Sequence, residues 1–228
     1  MPHCVAFDLD DTLFLERDYV RSGFEAVGRW ARVNVGIGDF AERAREAFER
    51  GERGAIFDRV LEARGIAPER ALILRMLAVY RTHLPRISLC ADAAACIVRL
   101  RGHAALAIVT DGPLDSQRAK VRALGVEAWA RPVVYTAALG ADAGKPSPKA
   151  FELVETLTGV RANLCVYVAD NPAKDFAGPK NRGWRTVRVR RPEGLHAAVP
   201  DGDDVDAELE GLDGLERVLA PAAAEGRP

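Results

Sequence analysis

Val5-Ala6-Phe7-Asp8-Leu9-Asp10-Asp11-Thr12-Leu13-Phe14 is the stretch on which the reading of the chain turns. Val5 to Phe7 form a short apolar run of the kind found in buried strands, and it discharges into three acids and a hydroxyl. Packing does not favour this arrangement. Carboxylates are almost never fully buried without partners, so an acidic cluster at the end of a core strand needs cations or chemistry to hold it. In open α/β sheets, ligands bind beyond the carboxyl ends of the strands, where this cluster would lie. The bland alternative is a strand that exits into a solvated acidic turn. The remainder of the chain decides between the two.

With 228 residues the chain can form one large domain, or a core domain with an insert. Charged residues make up 29% and the net charge is -1, so no global field draws nucleic acid or an anionic membrane. Four cysteines (Cys4, Cys90, Cys96 and Cys165) form no C-x-x-C pair, and Cys4 and Cys165 lie in apolar runs. They read as reduced core residues. The N-terminus lacks a basic-then-apolar signal pattern, and no apolar run reaches the ~20 residues of a membrane span. The expectation is a cytoplasmic protein, monomer or homodimer, with no nucleic-acid or membrane partner.

Strand character disappears between about Glu16 and Arg86. Val20, Phe24, Val27 and Ala31 recur at helical spacing, and Gly36 and Gly38 end that stripe. Asp39 can cap a second helix carrying Phe40 and Ala44. Ile56, Phe57, Val60 and Leu61 mark a third helix, and Pro68 suits the first turn of a fourth carrying Ile73, Met76, Leu77 and Tyr80. From Ser88 onward, helices alternate with short apolar strands: Ala104 to Val109, Val133 to Tyr135, Leu164 to Ala169 and Trp184 to Val189. Ser147 is placed to cap a helix with Pro148 at its first position. This grammar predicts an α/β fold with a Rossmann-like parallel sheet, helices on both faces, and a small inserted α-helical cap. Residues 1–15 and 87–200 make a discontinuous core and 16–86 the insert. Residues 201–228 form a tail with one helix around Val205 to Leu219.

The remaining polar residues fall where the strands end. Ala107-Ile108-Val109 runs into Thr110-Asp111-Gly112, Gly144-Lys145-Pro146 precedes the Ser147 helix, and Val166-Tyr167-Val168 leads to Asp170-Asn171-Pro172 with Asp175 beyond. Asp8, Asp10, Thr110, Lys145, Asp170 and Asp175 would therefore converge on one crevice. Four acids face one evident cation, Lys145, and like charges about 4 Å apart repel by about 4 kcal/mol at an effective dielectric of 20. Either a carboxyl stays protonated or a divalent cation sits among them. Hard oxygen ligands without Cys or His favour Mg²⁺, which commonly takes a phosphate oxygen as a further ligand. A carboxylate could then attack phosphorus while a neighbouring carboxylic acid protonates the leaving alkoxide.

Over residues 3 to about 192 the chain resembles the haloacid dehalogenase (HAD) superfamily, phosphatase branch, with a helical cap inserted after the first strand. Four motifs carry the resemblance in order: Phe7-Asp8-Leu9-Asp10-Asp11-Thr12, Thr110-Asp111-Gly112, Lys145-Pro146, and Ala169-Asp170-Asn171-Pro172-Ala173-Lys174-Asp175-Phe176. Ala169 departs from the Gly that the family often has before the last acid. The resemblance implies a Mg²⁺-dependent phosphomonoester hydrolase, with Asp8 as nucleophile forming an aspartyl-phosphate and Asp10 as general acid and then base. It implies metal ligation by Asp8, the Asp10 carbonyl and Asp170, with Asp175 ordering the metal's waters or Lys145. Phosphate would be bound by Thr110 and Lys145, assisted by backbone amides near Leu9 and Asp111. The substrate would be a small phosphorylated metabolite such as a nucleoside monophosphate or sugar phosphate.

The rival readings are a 2-haloacid dehalogenase, a sugar phosphomutase and a non-catalytic phospholigand-binding module. A dehalogenase has no use for a general acid two residues after the nucleophile. At individual positions, Thr110 could merely cap a helix, Asp111 could make a turn, and Asp175 could be an ordinary helix acid. Asp11 reads as structural, Thr12 as a hydroxyl tying the loop after Asp10, and the four histidines fit no ligand spacing.

Overall fold

The computed structural model describes residues 2–220. Its centre is a sheet of six parallel strands: β1 (Cys4–Phe7), β2 (Ala105–Thr110), β3 (Val133–Tyr135), β4 (Cys165–Ala169), β5 (Arg185–Val189) and β6 (Ala207–Leu209). Their order across the sheet is β3-β2-β1-β4-β5-β6. β1 is flanked by β2 and β4, with Phe7 in register with Ile108 on one side and Val168 on the other. It is buried at all four positions because both sheet faces are covered, so its sequence reads as a continuous apolar run. Val5 and Phe7 pack into one cluster with Cys96 and Ile97 of α5 (Ala91–Leu100) and Val121 of α6 (Leu114–Ala123). Cys4 and Ala6 face the opposite cluster, with Phe151 and Val154 of α7 (Lys149–Thr158), Phe176 and Trp184. All four cysteines are free thiols.

Between β1 and α5 the chain makes α1 (Glu16–Asn34), α2 (Phe40–Glu49), α3 (Ile56–Glu62) and α4 (Arg70–Thr82). These helices bury a core of their own, including Val20, Phe24, Val27, Phe40, Phe57, Leu61 and Met76. Close packing explains Gly23, where a Cβ would stand 2.3 Å from the Tyr80 ring of α4. A second close approach holds the core loop that carries Lys145. Gly178, in α8 (Ala177–Asn181), abuts it so tightly that a Cβ would meet the Pro146 carbonyl oxygen at 2.3 Å.

Three local expectations need correction. α4 begins at Arg70, because Glu69 remains extended (φ -59°, ψ 136°) and leaves Pro68 outside the first turn. α7 is entered at Pro148 rather than Ser147, with the Pro148 carbonyl accepting from the amides of Phe151 and Glu152. The tail is not one helix from Val205 to Leu219. Ala207–Leu209 instead add β6 to the open edge of β5, guided by Asp206, whose carboxylate accepts from the Thr186 amide at 2.9 Å. Gly211 and Gly214 follow, and the helix is confined to α9 (Leu215–Leu219). Leu212, Leu215 and Leu219 are buried in the core beside α5. The expected tail beyond residue 220 lies outside the described residues. No helix among those described is long and apolar enough to cross a membrane.

Leu215 is fully buried, so Leu215→Ala should cost about 2–5 kcal/mol in urea unfolding. A loss under about 0.5 kcal/mol would show that the tail is not docked on the core.

Candidate active site

The order of the strands places the site. The chain leaves β1 for β2 on one side and reaches β4 on the other, which makes a crevice at the carboxyl end of β1. Asp8 follows β1 directly, Thr110 ends β2, and Asp170 follows β4. Lys145 enters from the connection between β3 and α7, and Asp175 precedes α8.

Lys145 is the hub. Its buried ammonium donates to Asp8 Oδ1 at 2.6 Å and to the Tyr167 hydroxyl at 2.9 Å. It also forms an ion pair with Asp175 Oδ1 at 2.6 Å, although that oxygen has no properly aligned hydrogen bond. Asp175 Oδ2 accepts from the Asn171 amide at 3.0 Å. Tyr167 in turn donates to the Val109 carbonyl at 3.1 Å, which fixes it across the sheet. Asp8, Asp170 and Asp175 present carboxylate oxygens all within 4.8 Å of one another. Burial pushes Asp170 up to about 10, reinforced by the charges of Asp8 and Asp175. Burial likewise raises Asp8 to about 6, against the pull of Lys145. For Lys145 itself burial opposes the charge, but Asp175 and Asp8 outweigh it and hold the group well above the usual lysine range.

Asp10 lines the same cavity but turns its side chain to a different partner. Both its oxygens accept from Lys120, at 2.7 and 2.8 Å, and Oδ2 also accepts from Gln117 Nε2 at 3.2 Å. Gln117 Oε1 accepts from the Thr110 hydroxyl at 2.9 Å, and its Nε2 donates to the Asp111 carbonyl at 3.0 Å. The Asp111 carboxylate accepts from Thr136 and lies 3.8 Å from Lys174. The expected residues thus fall into two linked groups: Asp8, Lys145, Asp170 and Asp175 in one, Asp10, Thr110 and Asp111 in the other. Asp11 is structural, as expected. Its carboxylate accepts from the amides of Glu16 at 2.8 Å and Leu195 at 2.7 Å. Thr12 does not tie the loop, since its buried hydroxyl has no partner.

Lys145 is the one evident cation among the motifs, and in the structure Lys120 joins it. Sequence reasoning also missed Gln117, Tyr167, Glu16 and Tyr19. The signal for Gln117 and Lys120 was present: they sit one turn apart on α6, whose inward face is polar where an apolar stripe belongs. A cavity of about 310 Å³ opens above the two groups. The core lines it with Asp8, Asp10, Asp170 and His196 among others, and the helical segment with Glu16, Tyr19, Tyr80 and Arg81. Burial, joined by the charge of Asp10, raises Glu16 to about 7.

Residues 2–183 match the haloacid dehalogenase-like hydrolases. The chain belongs to this family of hydrolases. It is 28% identical over 223 residues to the glyceraldehyde 3-phosphate phosphatase of Methanopyrus kandleri, covering 92% of this chain and 94% of that one. A HAD hydrolase from Bacillus subtilis bound to magnesium shares the fold at a TM-score of 0.71, with 18% identity over 96% of this chain and 98% of that one. A 2-haloacid dehalogenase from Pseudomonas syringae superposes at a TM-score of 0.67, with 26% identity over the same shares of the two chains.

The upward shifts of Asp8 and Asp170 have the same thermodynamic sign. The metal-free folded chain holds protons that the unfolded chain releases. This contribution to stability is complete below the ordinary carboxylate range and is lost as pH rises, through about 6 for Asp8 and about 10 for Asp170. A cation bound among these oxygens must displace those protons, so Mg²⁺ affinity should tighten between about pH 6 and about pH 9. Titration calorimetry checks this, and a pH-independent affinity contradicts it. Asp170→Asn should raise the melting temperature without divalent cation and remove any stabilisation by Mg²⁺, which for an ion bound at this site would amount to about 2.7 kcal/mol at a hundred times its Kd.

Proposed function

We propose that this chain is a Mg²⁺-dependent phosphomonoester hydrolase that works through an aspartyl-phosphate on Asp8. The observation that carries this reading is a division of labour. Two carboxylates separated by one residue face one cavity, each held by its own buried lysine: Asp8 by Lys145 and Asp10 by Lys120. In a mechanism of this kind the Asp8 carboxylate attacks phosphorus while Lys145 offsets charge on the phosphoryl oxygens. Asp10 gives a proton to the leaving oxygen and later takes one from the water that hydrolyses the acyl-phosphate. Thr110 and the amides after Asp8 and Thr110 would hold the remaining oxygens, with Asp111 shaping that turn.

The donor set fits a divalent cation. It is all oxygen, it carries three buried carboxylates around one ammonium, and Asp175 Oδ1 lacks an aligned hydrogen bond. Asp8, Asp170 and the Asp10 carbonyl would hold Mg²⁺, with Asp175 supporting through Lys145. When bound, the ion supplies charge neutralisation for the phosphoryl group.

Residues 16–86 act in this reading as a cap that closes over the leaving group. The cavity is near the small end of ligand sites, which favours a sugar-phosphate-sized substrate over a nucleoside monophosphate. The similarity to a glyceraldehyde 3-phosphate phosphatase over nearly the whole chain points the same way. The structural likeness to a 2-haloacid dehalogenase favours a second reading. Halide leaves as an anion without a proton, however, so the Asp10–Lys120 pair would have no work there.

A panel of phosphorylated metabolites and p-nitrophenyl phosphate tests the reading. Asp8→Asn should abolish phosphate release with its circular dichroism unchanged, and Asp10→Asn should reduce kcat about 10²–10⁴-fold on alkyl phosphates. EDTA should silence the enzyme and Mg²⁺ restore it. Halide release from 2-chloropropionate without phosphate release from any ester would establish the dehalogenase reading instead.

A further inference from the structure

Lys120 is 3% exposed and has no role in the mechanism as read from the motifs. Burying an ammonium is costly unless it is paired and hydrogen-bonded, and an apolar residue of similar size often serves stability equally well. What this lysine does locally is specific. It spans both oxygens of Asp10 at 2.7 and 2.8 Å, which fixes the plane of that carboxylate as well as balancing its charge. Gln117, one turn earlier on α6, adds a third bond to the same carboxylate at 3.2 Å and ties it to Thr110. The Lys120 ammonium also lies 4.3 Å above the ring of Tyr19, on the first helix of the inserted segment. The pair therefore joins the loop after β1, helix α6 and the helical segment at one point on the cavity wall.

We infer that Lys120, assisted by Gln117, is a positioning residue that aims Asp10 at the leaving-group oxygen. The inference rests on the phosphomonoesterase reading. In the step concerned, a bond forms between Asp8 and phosphorus while the bond from phosphorus to the leaving oxygen breaks, and its electron pair stays on that oxygen. The step starts with Asp10 protonated on one oxygen while Lys120 holds the other; that proton moves to the leaving oxygen, and the carboxylate left behind pairs with Lys120 through both oxygens, as in the structure. Orientation matters most when the leaving alkoxide is a strong base and cannot depart without a proton. It matters least for p-nitrophenolate, which departs as a stable anion.

The test compares full-length wild type, Lys120→Met and Lys120→Arg, all with Mg²⁺, on p-nitrophenyl phosphate, phenyl phosphate and glycerol 3-phosphate. Lys120→Met should lower kcat on glycerol 3-phosphate about 10²–10⁴-fold and on p-nitrophenyl phosphate less than about tenfold, with phenyl phosphate between. Lys120→Arg should recover most of the loss on the alkyl ester, because a guanidinium also spans both carboxylate oxygens. Melting temperatures are measured alongside. If a folded Lys120→Met falls equally on all three esters, or if Lys120→Arg does not keep the wild-type alkyl-to-nitrophenyl ratio, Lys120 is only a structural counter-ion and the inference fails. A wild type inert on all three esters defeats the phosphatase reading itself, whereas an active wild type with equal losses defeats only the role given to Lys120.

Discussion

The buried triangle of Asp8, Asp170 and Asp175 around Lys145 is the constraint on which the rest of this structure depends. Three carboxylates within 4.8 Å of one another cannot all ionise beside one ammonium. The strain appears as a carboxyl pushed to about 10 at Asp170 and to about 6 at Asp8. Such an arrangement persists only where the scaffold over-determines it. Here Tyr167 of β4 ties Lys145 to the Val109 carbonyl of β2, across β1, and Gly178 lets α8 press against the Pro146 carbonyl. In the proposed function, the charge that costs stability here is the charge that would recruit a cation and a phosphoryl group.

The sheet converts that local tension into a site. A parallel strand buried on both faces carries polar groups only beyond its helical cover, and in open α/β sheets the ligand crevice forms at the carboxyl ends. β1 lies between β2 and β4, so the ends of three strands discharge into one crevice. The helical segment packs a core of its own and contributes Glu16, Tyr19, Tyr80 and Arg81 as the far wall. In the proposed function, the core would carry the chemistry and the helical segment the leaving-group contacts, and the two parts touch at Lys120 and Tyr19.

Much of this was legible in the sequence because the information was local. A strand ending in acids, Thr110-Asp111-Gly112 after an apolar run, and Asp170 with Asp175 each announce a strand end within a few residues. What was not legible depends on long-range geometry. Lys120 stands 110 residues from Asp10, and nothing in α6 alone says which carboxylate it will meet. Tyr167 looked like one more apolar strand residue until its hydroxyl reached Lys145. The tail failed for a related reason. Its leucines carry helical spacing, but the open edge of β5, whose Thr186 amide donates to Asp206, makes Ala207–Leu209 a strand. Thr12 failed because a hydroxyl's partner is set by loop closure, which spacing does not encode.

The most direct test of the account is to trap the covalent intermediate. Rapid acid quench of wild type turning over a phosphate ester with Mg²⁺, followed by peptide mapping, should find one phosphoryl group on Asp8 and none in the Asp8→Asn variant. Phosphorylation at any other residue, or steady turnover with no phosphoryl group on the chain at any quench time, would contradict the assignment of Asp8 as nucleophile.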